Sequence, residues 1–456
     1  MSRSSTLALV AAALAFGACK SDTSASGSSG TTSGSTASST ASPTSSGSTS
    51  GAASTGSTAS STGSSSSGST TTTTTTSGSS GSTGGVDTPI NPNTLTVATG
   101  FVGEVVATGV PARELATLPN GDLLVSTTSS DIYLLPNAEA QGAPGAIHKF
   151  ITLSDDNANG VAYAPNGFIY VATEHAVWKI PYASGDQSEP NNSAVQIASV
   201  RQGGIPAGSD GDVHHTSSVV VSNDTVYVGV GSSCNACVEI DPTRATIQQM
   251  GLDGSNMTTL ATRFRNAIAL TLNPATGTLW AGGAGQDSLP NRHPYEFMDP
   301  VTLHTAPVDY GWPDCEENQH AYTGGADCSN TVAPALEFDA YATNIGAVFY
   351  PTNPTGTYAF PSQYAGGLFV THHGSWHTGP STPPSVSFVP MNGDAPATAV
   401  DWNDPTAQWT PFLDGMGSTS SSSYTARATG VAVGTQGSLF VGDDQNHAIY
   451  RIRPAP

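Results

Sequence analysis

A short apolar segment, a polar turn and a second apolar segment follow one another six times along the chain. Two copies, at residues 115–125 and 161–171, share the turn sequence Pro-Asn-Gly between their apolar halves. Alternating apolar and polar positions around such a turn predict a β-hairpin. The other copies span residues 219–228, 270–280, 347–370 and 431–441.

Further apolar segments follow several of these hairpins, for example residues 176–180 and 448–452, and no amphipathic pattern of three helical turns separates the copies. Hairpin-plus-strand units that recur without helices between them are typical of a β-propeller. We therefore predict an all-β fold, a six-bladed β-propeller with about 60 residues per blade. A pair of β-sandwiches is the alternative, but it would not explain why one pattern recurs in a fixed order.

The residues before the first hairpin are too polar to form a hydrophobic core. Residues 22–86 are almost entirely Ser, Thr, Gly and Ala, with Pro43 as the single proline and no aromatic residue. A segment so poor in large apolar side chains predicts a disordered Ser/Thr/Gly-rich linker.

Residues 1–18 have the features of an export signal. Arg3 precedes an apolar run over residues 7–16, and Gly17 and Ala18 place small side chains before Cys19. The run is too short to span a bilayer, and the arrangement resembles the lipobox of bacterial lipoproteins, in which the Cys is lipidated. We expect an exported bacterial lipoprotein, anchored through Cys19 to a membrane of the cell envelope, in the periplasm or at the cell surface. An ordinary secretory peptide with an incidental cysteine is the alternative.

The predicted domains are therefore a lipoprotein signal peptide over residues 1–18, a lipidated Cys and disordered linker over 19–88, and the propeller over 89–456.

The charge of the chain excludes one class of binding partner. The chain has 13 Lys and Arg against 34 Asp and Glu, a formal net charge of −21. Because so few cations are available to neutralise phosphates, we predict that no nucleic acid binds.

Four cysteines remain after Cys19, and export predicts that they form two disulfides. Three pairings are possible, of which the most local joins Cys234 to Cys237 and Cys315 to Cys328. A Cys-x-x-Cys pair can also be a redox motif or half of a zinc site, but the twelve residues between the other two cysteines fit a zinc ribbon poorly.

Polar residues collect at one end of the predicted channel, because the residues just before the innermost strand of each blade meet around one opening. Arginine recognises carboxylates and phosphates, and histidine moves protons near neutral pH. The combination of His214, Arg265 and Arg427 therefore predicts a site for an anionic or strongly polar ligand, although each residue could also simply face water or hold a loop. The residues at these positions are Arg113, Asn157, Asn159, His214, His215, Arg265, Asn266, Asn344 and Arg427.

A set of motifs in a fixed order resembles the soluble PQQ-dependent sugar dehydrogenases, the glucose/sorbosone dehydrogenase family. The resemblance covers residues 100–454 and implies a six-bladed propeller that binds pyrroloquinoline quinone (PQQ) together with calcium. The motifs are the cysteine loop at 231–237, residues 241–246 and 252–255, Arg265-Asn266, the Tyr-Gly-Trp-Pro sequence within 309–313, and His-Gly-Ser-Trp at 373–376.

The resemblance also implies roles for individual residues. His214 would be the base that takes the substrate's hydroxyl proton while hydride passes to the quinone, with His215 as the second choice for this role. Arg265, Asn266 and Arg427 would contact the cofactor, and His215 and His373 are further candidate contacts. Backbone carbonyls of Gly285 and Gln286, in a Gly-rich turn suited to a hard cation, would bind calcium.

The sequence departs from the family's pattern at several places in the site. Val213 and Ser232 stand where the glucose-oxidising members have Asp, so we expect a different orientation of His214 and a substrate other than glucose. No Lys follows Lys179, so His372 or His373 would replace the family's lysine in the fifth blade, and Gly283 stands where an acidic residue is common.

The sequence thus predicts PQQ- and calcium-dependent oxidation of a sugar, sugar aldehyde or related alcohol, with an unassigned electron acceptor. A propeller lactonase is one alternative, but it would need several acids converging on the channel, and the pattern offers only asparagines there. A non-catalytic propeller that binds carbohydrate or protein at the cell surface is the other.

Overall fold

A computed structural model describes residues 88–91, 95–140, 144–207, 211–289, 292–375, 381–420 and 423–456. The predicted signal peptide, Cys19, residues 20–87 of the linker and Trp376 lie outside these ranges. Within them the chain forms β-strands and two short 3-10 helices, Val301–Leu303 and Ser362–Tyr364. None of the helices in these ranges has the length and apolar character needed to cross a membrane.

The prediction of a six-bladed β-propeller is confirmed, and each predicted hairpin supplies the two inner strands of one blade. Blades one to three have these strands, from the innermost outward. Blade one contains Leu115–Thr117, Leu123–Val125, Asp131–Leu135 and His148–Thr152. Blade two contains Gly160–Ala164, Phe168–Ala172, Ala176–Pro181 and Val195–Ser199. Blade three contains Ser217–Val221, Thr225–Val230, Thr246–Gly251 and Thr258–Thr262, with Val308–Asp309 added in parallel at its edge.

Blades four to six follow the same order. Blade four contains Ala267–Leu272, Leu279–Gly283, Glu296–Asp299 and Leu336–Phe338. Blade five contains Asn344–Phe349, Leu368–His372, Ser385–Val389 and Thr410–Asp414, with Thr96–Val97 at its edge. Blade six contains Ala428–Val433, Leu439–Asp443, Ala448–Pro454 and Phe101–Thr108, with Thr88–Pro89 at its edge. Two small hairpins pair Cys315–Glu316 with His320–Ala321 and Met391–Asn392 with Ala395–Pro396.

Blade six joins the two ends of the propeller, a feature that the repeated pattern did not predict. Its outermost strand, Phe101–Thr108, comes from before blade one and pairs antiparallel with Ala448–Pro454, from Phe101 opposite Pro454 to Thr108 opposite Ala448. The ring of blades is therefore closed by hydrogen bonds between the first and last parts of the propeller sequence.

Apolar side chains fill the space between neighbouring blades. Between blades one and two, for example, Leu124 and Ile132 pack with Val171 and Ile180, all fully buried. Both faces of each sheet are covered in this way, which explains the nearly continuous apolar runs of the inner strands. The innermost strands surround a channel of about 290 Å³ lined mainly by apolar side chains.

The cysteines form the most local of the three possible pairings, which confirms the prediction of two disulfides. Cys234 is bonded to Cys237 and Cys315 to Cys328. The first bond lies in the loop that follows the second strand of blade three, next to the candidate site.

Candidate functional site

A cavity of about 590 Å³ opens at one end of the central channel, and Ile268 lines both spaces. Its wall is formed by loops that precede the innermost strands and loops that follow the second strands. Seven of the predicted residues lie in this wall: Arg113, His214, His215, Arg265, Asn266, Gly285 and His373. Asn235, Asp287, Glu296 and Tyr341 also line it.

His214 is held by Ser232, the residue that stands where the glucose-oxidising dehydrogenases were expected to have Asp. The His214 Nδ1 atom lies 2.9 Å from the Ser232 hydroxyl oxygen and 3.0 Å from the Ser232 carbonyl oxygen. Because the Ser232 hydroxyl donates its own proton to the Cys234 carbonyl at 2.8 Å, both oxygens accept from Nδ1. The ring is therefore the tautomer that carries its proton on Nδ1 and leaves the Nε2 lone pair free.

The surroundings of His214 keep this ring neutral. Burial lowers the pKa of His214 well below its ordinary value, and the positive charges of Arg265, Arg201 and Arg244 lower it further. A histidine whose pKa lies below neutral pH remains an acceptor for a proton at that pH.

Gly231 allows His214 and Asn266 to approach each other. A Cβ atom at Gly231 would lie 2.5 Å from the Asn266 Oδ1 atom and 2.7 Å from the His214 Cβ atom. Any larger side chain would separate the two residues. The Asn266 Oδ1 atom is buried and has no hydrogen-bond partner among the described residues, so it can accept a hydrogen bond from a ligand.

Arg265 uses most of its donors to fix the neighbouring loops. Its Nε and Nη2 atoms donate to the backbone and side-chain oxygens of Asn235 at 3.0 and 2.9 Å. Nη2 also donates to Asp287 Oδ2 at 2.9 Å, and Nη1 donates to the Ala284 carbonyl at 3.3 Å. With a side chain only 5% exposed, Arg265 ties the disulfide loop to the turn that follows the second strand of blade four.

The structure places Arg113, and not Arg427, in the cavity wall. Arg427 donates from Nε to the His373 carbonyl at 3.0 Å and from Nη2 to the Gly374 carbonyl at 3.2 Å. It therefore holds the loop that follows the second strand of blade five. Arg113 donates from Nη1 to Asp444 Oδ2 at 2.9 Å, and its buried Nε has no partner among the described residues. In the cavity wall, Arg113 therefore has a buried donor that no described residue accepts.

His373 forms a pair with Asp444, which the sequence analysis missed. The His373 Nε2 atom lies 3.0 Å from both carboxylate oxygens of Asp444. Burial would raise the pKa of Asp444, but His373 and Arg113 outweigh it and lower that pKa to about 2. Burial, together with Arg113 and Arg427, lowers the pKa of His373 to about 4. Asp444 directly follows the second strand of blade six, and a comparison of this position in all six blades could have found it.

Two glutamates face the turn predicted to bind calcium. The Gly285 N–H donates to Glu296 Oε2 at 2.7 Å, and the Gln286 N–H donates to Glu316 Oε2 at 3.3 Å. Burial raises the pKa of each glutamate to about 8. The buried Oε1 atoms of Glu316 and Gln286 have no partner among the described residues. Because calcium prefers a group of oxygen donors of this kind, the residues present fit a hard cation. The sequence analysis missed both glutamates.

Other predicted polar residues do not line the cavity. His372 is buried, with Nδ1 at 2.8 Å from Asn344 Oδ1 and Nε2 at 2.8 Å from Ser387 Oγ, and burial lowers its pKa to about 3. Asn157 and Asn159 bond to each other and to the neighbouring turn. The wall does contain two acids, Asp287 in the Gly-rich turn and Glu296 in the third strand of blade four.

Comparisons with known proteins agree with this fold. A family model described as TrAA12-like matches residues 314–455. The chain is 24% identical over 235 residues to an uncharacterized protein of Borreliella burgdorferi, and the match covers 50% of this chain and 57% of that relative's length.

Solved structures extend the comparison. The holo form of the pyranose dehydrogenase PQQ domain from Coprinopsis cinerea has a TM-score of 0.63 at 18% identity, with 79% of this chain and 97% of that chain covered. The calcium structure of a Trichoderma reesei protein of carbohydrate-active enzyme family AA12 has a TM-score of 0.64 at 18% identity. The match covers 81% of this chain and 98% of that chain. The soluble aldose sugar dehydrogenase of Escherichia coli, in its apo form, has a TM-score of 0.52 at 14% identity. The match covers 78% of this chain and 100% of that chain. At these identities the likeness is one of fold: the chain has the propeller fold of the soluble PQQ sugar dehydrogenases in the broad sense.

Proposed function

We propose that this chain is a PQQ- and calcium-dependent oxidoreductase that oxidises a sugar, sugar aldehyde or related alcohol. The observation that carries the proposal is the neutral His214 in the cavity wall, with its Nδ1 proton held by Ser232 and its Nε2 atom available. The names of the structural neighbours, a pyranose dehydrogenase PQQ domain and an aldose sugar dehydrogenase, support the substrate class.

The cavity fits a cofactor of this kind. Its volume of about 590 Å³ is within the range of sites that hold small molecules. Arg113 and Arg265 supply positive charge for carboxylates, and the Arg113 Nε and Asn266 Oδ1 atoms are buried without partners among the described residues. A bound PQQ would supply the acceptor for the two electrons of the oxidation.

The chain's own residues would handle the proton and the orientation of the substrate. The Nε2 atom of His214 accepts the proton of the substrate hydroxyl, and the Ser232 oxygens keep the ring in the required tautomer. The hydrogen bond between Arg265 and Asp287 fixes two loops of the cavity wall. Glu316 and Gln286 would hold calcium, which when bound would polarise oxygen atoms near the turn.

One experiment separates this function from its alternatives. The purified chain is incubated with PQQ, with and without calcium, and dye reduction is followed across aldoses, osones and polyols, while hydrolysis of sugar lactones is measured in parallel. We expect dye reduction that needs both PQQ and calcium. Lactone hydrolysis without dye reduction would favour a lactonase, and neither activity, together with no PQQ binding, would favour a non-catalytic propeller.

Replacing Glu316 by Gln tests the calcium site. The substitution keeps the shape of the side chain but removes a carboxyl group that can lose its proton to bind calcium, so we expect calcium affinity to fall about tenfold or more. Isothermal titration calorimetry measures the affinity. Glu337→Gln is the matched control, because Glu337 is equally buried in blade four and bonds to neither Gly285 nor Gln286. Equal loss of affinity in both variants would contradict the assignment.

We also propose that lipid on Cys19 tethers the propeller to a membrane of the cell envelope. The support is the small-residue pair before Cys19 at the end of the apolar run. In a bacterial host, Cys19→Ala is expected to move the protein from the membrane fraction to the soluble fraction. Retention of the variant in the membrane fraction would argue against the lipid anchor.

A further inference from the structure

We propose that a divalent transition-metal ion of the zinc type binds at the rim of the cavity, held by Glu174, Asp212 and His215. The turn between the second and third strands of blade two, which carries Glu174, meets the loop before the innermost strand of blade three, which carries Asp212 and His215. One possible ligand atom from each residue lies within 4.8 Å of the other two. The sequence analysis did not combine these residues.

The distances in this cluster are close to those of a metal site. The His215 Nδ1 atom lies 2.9 Å from Glu174 Oε1, and the Nε2 atom of His175 lies 3.8 Å from the same oxygen. Ligand atoms around a tetrahedral zinc ion, at bonds of about 2.0–2.1 Å, are about 3.3 Å apart. Both histidine side chains are about half exposed, so small rotations suffice to bring them onto one ion.

Residues outside the cluster orient its members. The Asp155 carboxylate lies 3.1 Å from the Nδ1 atom of His175, which leaves His175 Nε2 directed towards Glu174. The Asn157 amide donates to Glu174 Oε2 at 2.6 Å, so Oε1 remains for the metal. The two terminal guanidinium nitrogens of Arg244, Nη1 and Nη2, donate to the two carboxylate oxygens of Asp212. Contacts of this kind are typical of the residues that surround metal ligands and fix their orientation.

The donor set selects a metal other than calcium. Imidazole nitrogens favour zinc, copper and nickel, whereas calcium prefers oxygen donors alone, as in the turn at Gly285. The carboxylates of Glu174 and Asp212 offset the positive charges of Arg201 and Arg244, which lie close to them. Since His215 also lines the cavity, an ion bound here would lie beside the space proposed for the substrate.

Zinc binding to the tag-free full chain, freed of metal with a chelator, tests the proposal by calorimetry in millimolar calcium. We expect one zinc ion per chain. His215→Ala and Glu174→Gln should each weaken zinc binding at least about 100-fold, and Asp155→Asn, which removes only an orienting contact, about tenfold. The control His148→Ala replaces a histidine that contacts only backbone carbonyls, so it should bind zinc like the wild type. Circular dichroism on heating checks that all variants fold.

Three outcomes would contradict the proposed zinc site. No zinc binding would mean that His215 and Glu174 form an ion pair only. Zinc binding that survives both His215→Ala and Glu174→Gln would place the ion elsewhere. Displacement of zinc by calcium would show that imidazole takes no part. None of these outcomes depends on PQQ, so they leave the proposed oxidation untouched.

Discussion

Replacing His214 by alanine is expected to lower kcat for PQQ-dependent dye reduction by about 10²- to 10⁴-fold, the range of a positioned general base. The Nε2 atom is the proton acceptor of the proposed reaction, and Ser232 holds the ring in the tautomer that makes it one. PQQ affinity should change little, because Arg113 and Asn266 carry the unused donor and acceptor of the wall. Steady-state kinetics and PQQ titration by fluorescence measure the two quantities.

His148→Ala is the matched control for this prediction, since His148 lies in the outermost strand of blade one, away from the cavity wall. Its kcat should equal that of the wild type. An unchanged kcat in the His214 variant would remove His214 from the reaction. Weakened PQQ binding with unchanged kcat at saturating cofactor would instead make His214 a cofactor contact.

Replacing Glu104 by alanine is expected to lower the free energy of unfolding by about 3 kcal/mol, because it removes the carboxylate that pairs with a buried arginine. Glu104, in the outermost strand of blade six, accepts hydrogen bonds from Arg451 at 2.7 and 3.1 Å and from Arg453 at 2.5 Å. The side chain of Arg451 is only 1% exposed. The pair therefore fastens the strand that closes the ring, and urea denaturation measures its contribution.

The contribution of Glu104 should depend on pH in a defined direction. Burial would raise the pKa of Glu104, but the hydrogen bonds and charges of Arg453 and Arg451 outweigh it and lower this pKa below its ordinary value. The carboxylate therefore stabilises the fold above the unfolded-chain pKa of about 4.3 and loses this effect as the pH falls through the lower pKa of the folded state. The difference between wild type and variant should accordingly shrink below about pH 4.

Lys149→Ala is the control, because it breaks an ion pair with Asp131 in which the lysine side chain is 49% exposed. Exposed pairs contribute little, so its stability should be close to that of the wild type. If Glu104→Ala were no more destabilising than this variant, ring closure would rest on the backbone pairing of blade six alone.

Local patterns in the sequence were sufficient for the blades. Each hairpin is fixed by two short apolar segments and by the backbone conformation of the turn between them, so the six copies predicted the two inner strands of every blade. The disulfide between Cys234 and Cys237 likewise joins neighbours in the chain. The placement of His214, Arg265 and Asn266 in the cavity wall followed from their position before an innermost strand.

Contacts between distant segments were decided only by the tertiary structure. Arg113 and Arg427 both precede innermost strands, but the carbonyls of His373 and Gly374 hold Arg427 away from the cavity wall, and no local pattern encodes that packing. The same holds for Glu104 and Arg451, which are 347 residues apart in sequence and adjacent in the fold. The sequence by itself determined the blades and the loops that carry the site, because turn and strand formation are local. Which side chains in those loops face a ligand depends on long-range packing, charge and burial, which arise only once the ring is closed.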